Sequence, residues 1–388
     1  MTSTSHLQDS AQSSAQDGTQ SRTIKAAVVR KKGGPFTIEK LAVETPRADE
    51  VLVRIVATGM CHTDIVIRDQ VYPVPLPIVL GHEGAGVVES VGAGVRKVVP
   101  GDHVVLSFMS CGHCARCAAG QPAYCAKGHP LCFGGAREDG TTAMRDDHAA
   151  SVHDHFFGQS SFGTYALAHE RTVVKVPKDV PLERLGPLGC GIQTGAGSVM
   201  NALQVGPGQS FVAFGAGSVG LSAVMAARIV GATTIIAVDV VPARLALAKE
   251  LGTTHVVNAK SEDPVAAIQK ITAGGADFAL ESTGRPEVVR QAVDALGTRG
   301  ACGIVGAAPI GTQASFDMGG LMSPGKSIRG IIQGDSVPEL FIPQLIELHR
   351  QGRFPFDRLI KFYTLDEINQ AAADSESGAT IKPILRMG

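Results

Sequence analysis

The stretch Ser210-Phe211-Val212-Ala213-Phe214-Gly215-Ala216-Gly217-Ser218-Val219-Gly220 decides the fold. An apolar run stops at a G-x-G-x-x-G, and residues 218–230 continue with the composition of a buried helix. Residues 233–239 read as the next strand, which closes on Asp239. A glycine triplet alone carries little information. Between a strand and a helix it places the free N–H groups of the helix start against a pyrophosphate. An acidic residue about twenty positions on is then placed to accept from the adenosine ribose hydroxyls. Gly215, Gly217, Gly220 and Asp239 are therefore expected to bind a dinucleotide. A 2′-phosphate would meet the Asp239 carboxylate, so NAD is favoured over NADP. Arg244 either offsets that preference or is an exposed helix residue.

The rhythm continues downstream. Strand-like runs at 255–258, 277–282 and 301–305 alternate with helical segments at 243–251, 264–271 and 286–296. Near-continuous apolar strands between helices imply a doubly wound parallel sheet. Upstream the pattern differs. Residues 25–29, 36–41, 51–58, 104–107, 162–167 and 172–176 are short β-branched runs bounded by Gly, Pro and charged turns, the mark of an antiparallel, barrel-like domain. From about 335 the α/β rhythm ends. A helix at 338–351 and a strand at 381–385 are expected to return to the first domain. The division is a tail at 1–22, a catalytic domain at 23–193 plus 335–388, and a dinucleotide domain at 194–334. The tail is Ser-, Gln- and Thr-rich and has too little apolar surface to order itself. Residues 128–160 read as a long polar loop of the kind used for lids, binding or subunit contacts.

The formal charge of −1 and the absence of Trp give no reason to expect nucleic acid, and the longest apolar window, 219–241, is broken by Arg228. Neither nucleic acid nor membrane is an expected partner. Eight cysteines in 388 residues without a secretory signal point to metal thiolates in a reducing cytoplasm rather than to disulfides. Four of them, Cys111, Cys114, Cys117 and Cys125, share one tight loop. That set suits a closed, tetrahedral, structural zinc; ferredoxin spacings differ. A second set is dispersed. Cys61 opens a helical segment, His82 and Glu83 lie in Gly81-His82-Glu83-Gly84, and Cys190 lies in Gly189-Cys190-Gly191. Two thiolates and an imidazole leave the fourth zinc position open, as catalytic sites do. Asp64 and Glu83 are the carboxylates able to orient the ligands or to tune the metal.

Through these motifs the chain from residue 24 onward resembles the zinc-dependent medium-chain dehydrogenases, and within them the aryl-alcohol (benzyl-alcohol) dehydrogenases. The resemblance implies a GroES-like β-rich catalytic domain beside the Rossmann NAD-binding domain, and one catalytic and one structural Zn²⁺ per chain. It implies catalytic zinc on Cys61, His82 and Cys190, with Glu83 behind it and able to exchange with a ligand. It implies that Asp64 bonds His82 and that Thr63 holds the alcohol proton. For the cofactor it implies His62 at the pyrophosphate, Thr194 and Val219 by the nicotinamide, Val305 among the cofactor contacts, and Lys382 at a phosphate. The activity implied is reversible oxidation of a primary aromatic or allylic alcohol, in a homodimer or homotetramer. Some relatives carry a proton-relay histidine two residues after the aspartate; here that residue is Val66. The proton then leaves Thr63 through cofactor ribose and water or through His62. Two rival functions are a glutathione-dependent formaldehyde dehydrogenase and a non-catalytic NAD- and zinc-binding regulator.

Overall fold

A computed structural model describes residues 21–388. Of the tail expected at 1–22, residues 1–20 lie outside the described residues. Arg22 already belongs to the strand Arg22–Val29, and its guanidinium donates to Tyr165 Oη at 2.6 Å.

The glycine-rich turn sits in a six-stranded sheet. In space the strands run His255–Asn258, Thr234–Asp239, Ser210–Phe214, Ala276–Glu281, Leu296–Ile304 and Ser327–Gly330. Every pairing is parallel. The strand order reverses direction at Ser210–Phe214, so the cleft for a ligand opens at that strand's C-terminal end. The strands read as continuously apolar because both faces are covered. Val212, Phe214, Ile236 and Val238 pack on one side, and Phe211, Ala213, Ile235 and Ala237 on the other. The edge strand Ser327–Gly330 escaped the sequence reading. Ser-Ile-Arg-Gly at an exposed edge has no apolar alternation to detect.

The β-rich part holds a shared core but hydrogen-bonds in two sheets rather than in one barrel. One sheet runs Ile78–Val79, Arg22–Val29, Phe36–Val43, Met144–Arg145 and Ser151–Val152. The other is built around Glu50–Gly59, which pairs with both Gly84–Val91 and Tyr165–His169. The C-terminal strand Lys382–Arg386 returns to this sheet antiparallel, Ile384 opposite Gly59. Lys382 is thereby carried into the vicinity of His82 and Glu83. The helix Pro338–Arg350 buries Phe341, Ile342, Leu345 and Ile346 in the same core as Phe211 and Leu221.

Residues 128–160 are more ordered than a loop. They contain the helix Gly128–Phe133, two short strands and the turn Phe156–Gly158. The helix Gly191–Gly197, unforeseen because three of its seven residues are glycine, follows Cys190 directly. A Cβ on Gly195 would overlap the Val219 carbonyl of the neighbouring helix, so glycine lets the two backbones touch. Among the described residues no helix is long and apolar enough to cross a membrane.

Candidate active site

Cys61 caps the N-terminus of the helix His62–Arg68, and the capping partner is Asp64. Asp64 is fully buried and takes on three tasks. Its Oδ2 accepts from Cys61 N at 2.9 Å, and its Oδ1 accepts from Gly81 N at 3.1 Å and pairs with His82 Nδ1 at 3.0 Å. One carboxylate thus fixes two candidate ligands from different segments. With the proton on Nδ1, Nε2 is an acceptor, and it is a buried atom without a hydrogen-bond partner. Such an orphan is costly unless something else binds it.

Cys61 Sγ, Cys190 Sγ, one nitrogen of His82 and one oxygen of Glu83 all lie within 4.8 Å of one another. The donor set and the orphaned nitrogen fit a zinc ion. Electrostatics agree. Burial pushes the His82 pKa down, yet Asp64 and the Cys61 sulfur override it and raise it to about 10. The Cys61 thiol is pulled well below its usual range by the Cys190 hydrogen bond, and by His82 and Lys382 against burial. Cys190, facing that sulfur, is pushed up. The second ring proton that the raised His82 pKa implies would sit on Nε2, the position a zinc ion would take in its place.

Lys382 requires a correction. The resemblance implies that it reaches a cofactor phosphate. The structure buries it, and its Nζ donates to Glu83 Oε1 and Oε2, both at 2.9 Å, and to Met60 O at 3.2 Å. All three N–H donors are committed. Burial pushes the Glu83 carboxyl up and Lys382 pulls it down; two short bonds to one ammonium make the ionised pair the form we assign. The cause lies in the strand register, which delivers position 382 behind the candidate ligands. Nothing local to Ile381-Lys382-Pro383 announces it.

Thr63 Oγ1 lies 3.7 Å from Cys61 Sγ, which places a hydroxyl beside the thiolate. His62, on the same turn, is exposed, and Val66 is half-buried. Phe157 stacks on His82 with centroids 4.5 Å apart and Phe156 meets it edge-on at 5.4 Å. The sequence reading missed this pair, although two adjacent aromatics in a polar stretch were a signal.

The dinucleotide elements border this site. Gly215 adopts φ +96°, and a Cβ on Gly217 would meet no atom, so that face of the turn is open to a ligand. A Cβ on Gly191 would lie 3.4 Å from Ser218 Oγ, 3.5 Å from Glu83 Oε1 and 3.6 Å from Lys382 Nζ. The helix start and the candidate metal cluster therefore share a wall. Asp239 Oδ2 accepts from Ala216 N at 2.6 Å, and Oδ1 accepts from Val240 N and Val241 N at 2.7 and 2.8 Å. Arg244 is half-buried rather than exposed, its Nη1 4.0 Å from Asp239 Oδ2 and its Nε without a partner. Thr194 Oγ1 donates to Cys190 O at 2.9 Å, and Val305 N donates to Glu281 O at 2.9 Å.

The four-cysteine lobe is separate. The sulfurs of Cys111, Cys114, Cys117 and Cys125 lie within 4.8 Å of one another, and all four thiols are free. Cys111 N donates to Cys125 Sγ at 3.2 Å and Cys114 N to Cys111 Sγ at 3.4 Å. The Ala126 N–H and neighbouring groups bring the Cys114 thiol down to about 6.

Two family models match the chain. The family model for the alcohol dehydrogenase GroES-like domain matches residues 47–178, and that for zinc-binding dehydrogenases matches residues 218–349. A geraniol dehydrogenase from Castellaniella defragrans is 49% identical over 364 residues, covering 94% of this chain and 97% of that one. The crystal structure of benzyl alcohol dehydrogenase from Acinetobacter calcoaceticus is 56% identical with a TM-score of 0.92, covering 95% of this chain and all of that one. That of an alcohol dehydrogenase zinc-binding domain protein from Burkholderia ambifaria is 64% identical with a TM-score of 0.94, at the same coverage.

Proposed function

Since the chain belongs to the zinc-dependent medium-chain alcohol dehydrogenases, binding zinc and NAD(P), we propose that it oxidises a primary allylic or aromatic alcohol to the aldehyde, reversibly, with NAD as its dinucleotide. The observation that carries this reading is the convergence of Cys61, His82 and Cys190 around the orphaned His82 Nε2. The relatives whose names mention geraniol and benzyl alcohol support the substrate class.

Cys61, His82 and Cys190 would hold the catalytic zinc, with Glu83 behind them. When bound, zinc supplies the Lewis acidity that makes a coordinated hydroxyl acidic at neutral pH. The nicotinamide supplies the hydride acceptor. The chain's own residues do the rest. Thr63 Oγ1 accepts the substrate hydroxyl's hydrogen bond and holds its proton. Asp64 keeps His82 in the tautomer that presents Nε2. The Glu83–Lys382 pair fixes the charge behind the ligands. Phe156 and Phe157 wall off water on the histidine side. Because the relay position is Val66, the proton passes from Thr63 toward exposed His62 or through cofactor ribose and water.

The finer assignments belong to the same proposal. A second zinc sits on the four-cysteine lobe and is structural. Asp239 selects NAD, with Arg244 beside it on the ribose side; Gly215, Gly217 and Gly220 admit the pyrophosphate, and Thr194, Val219 and Val305 flank the nicotinamide. Residues 23–193 and 335–388 form the catalytic domain and 194–334 the dinucleotide domain. A cytoplasmic location keeps all eight thiols reduced. Self-association is supported by the edge strand Ser327–Gly330, with Met318 and Met322 exposed nearby. The test is NADH formation with benzyl alcohol, geraniol and ethanol, with NAD and NADP each supplied. Higher kcat/KM for the first two alcohols and for NAD is expected. A preference for ethanol or for NADP overturns the corresponding part.

A further inference from the structure

Between the edge strand Ser327–Gly330 and the helix Pro338–Arg350 the chain makes a turn with three successive residues in the left-handed region: Gln333 at φ 52°, Gly334 at 65° and Asp335 at 51°. Two of them are not glycine, and such backbone is held only where the surroundings impose it. The surroundings are visible. A Cβ on Gly334 would lie 2.6 Å from the Gln193 carbonyl and 2.8 Å from Gly197 Cα, so the turn is pressed against the helix that follows Cys190. Asn201 Nδ2 donates to Gly334 O at 3.2 Å. Asp335 accepts from Tyr124 Oη at 2.6 Å and pairs with Arg329.

What this strained turn projects is the Gln333 side chain. Its Oε1 lies 3.4 Å from Gln193 Nε2 and from Thr194 Oγ1, whose own hydrogen goes to Cys190 O. The opposite orientation would set its NH₂ against that of Gln193, so this end of the amide is assigned as the oxygen. The NH₂ end then points at Cys190 Sγ, 3.7 Å away. Gln193 is itself fixed, donating to Ser107 Oγ at 2.8 Å and accepting from Ser336 Oγ at 2.9 Å. We propose that Gln333 is a positioning residue for the reaction: its amide N–H holds the Cys190 sulfur and withdraws electron density from it, so that the thiolate donates less to the zinc and the metal stays a stronger Lewis acid. The inference rests on the zinc reading above. It adds a segment that the zinc motif does not include, reached from the dinucleotide side of the chain.

The decisive variant is Gln333→Gly. Glycine suits φ 52° better than glutamine does, so a turn-forming role alone makes this change neutral or stabilising. Gln333→Leu, close in size and without the donor, is the partner variant should the glycine chain fold poorly. The protein is loaded with Co²⁺ and the thiolate-to-cobalt charge-transfer band is recorded; the four-cysteine lobe contributes equally to each variant and cancels in the difference spectrum. Both variants are expected to move the band to lower energy and to lower kcat by about 10-fold, with KM changed much less. A band unmoved in both overturns the inference while leaving the zinc site intact. Cys190→Ser is the control for that site: it should remove part of the band, and an identical spectrum sinks the zinc reading and this inference together.

Discussion

The two cysteine clusters of this chain are held in opposite ways. The lobe at Cys111, Cys114, Cys117 and Cys125 takes its ligands from one short segment, and backbone N–H groups of that same segment donate to the sulfurs. The cluster at Cys61, His82, Glu83 and Cys190 takes its ligands from three distant segments. Side chains fix it: Asp64 on His82, Lys382 on Glu83, Gln333 on Cys190. A closed four-sulfur site needs only a local loop. A site that is to keep one position free, as proposed for the second cluster, needs a scaffold on every other side, and this fold draws the contacts around that cluster from residues as far apart as 61 and 382.

The largest expected difference between them is functional. Cys190→Ser should lower kcat by about 10³-fold or more, the several kcal/mol that a Lewis-acid metal supplies, while circular dichroism stays native. Cys114→Ser should do the reverse, lowering the thermal midpoint and leaving kcat/KM of the folded fraction close to that of the unaltered chain. A Cys114→Ser protein that is stable but inactive would erase the distinction.

Next in size is Lys382→Met. It strands the buried Glu83 carboxylate and should destabilise by about 3–5 kcal/mol in denaturant unfolding. Lys382→Arg should retain much of the loss-free behaviour. A smaller cost for Met than for Arg would show that the ammonium is not held as the structure has it.

His155 tests the scaffold through pH. It anchors the segment that carries Phe156 and Phe157, bonded to Asp154 and, at 3.2 Å, to Glu50. Burial lowers its pKa, but those carboxylates raise it from 6.5 to about 9. A folded value above the unfolded one stabilises fully below pH 6.5, and this contribution is lost as pH rises through 9. Glu50, held down to about 2 against burial by His155 and Arg137, stabilises above pH 4.5 and loses its contribution as pH falls through 2. The thermal midpoint should therefore fall between pH 6.5 and 10, by the equivalent of about 3 kcal/mol, and His155→Gln should flatten that limb. An unchanged limb removes His155 as its source.

The smallest effect belongs to Asp64→Asn, which keeps the shape but loses the charge behind His82. Zinc affinity in competition with a chelator should fall about 10- to 100-fold. An unchanged affinity would mean that the tautomer of His82 is set elsewhere.

The same contrast separates what the sequence revealed from what it hid. The four-cysteine spacing, the Gly215–Gly220 turn and the strands around it are local patterns, and they read directly. The helix 264–271 and the strand 255–258 fall where expected because each carries its own local signal, an apolar stripe behind Asp263-Pro264 in the helix and a Val256-Val257 pair in the strand. Lys382 could not be placed, because its position depends on a strand returning across the chain to Gly59. Gln333 gave no sign at all, since a left-handed backbone in a glutamine is a product of packing. Asp64 was legible as a partner of His82, but not as the cap of Cys61's helix as well.

The measurement that goes straight to the centre is X-ray diffraction from zinc-loaded crystals on both sides of the zinc absorption edge. An anomalous peak is expected about 2.0–2.3 Å from Cys61 Sγ, His82 Nε2 and Cys190 Sγ, with the fourth position filled by water or alcohol. A peak at the four-cysteine lobe with none among those three atoms would contradict it.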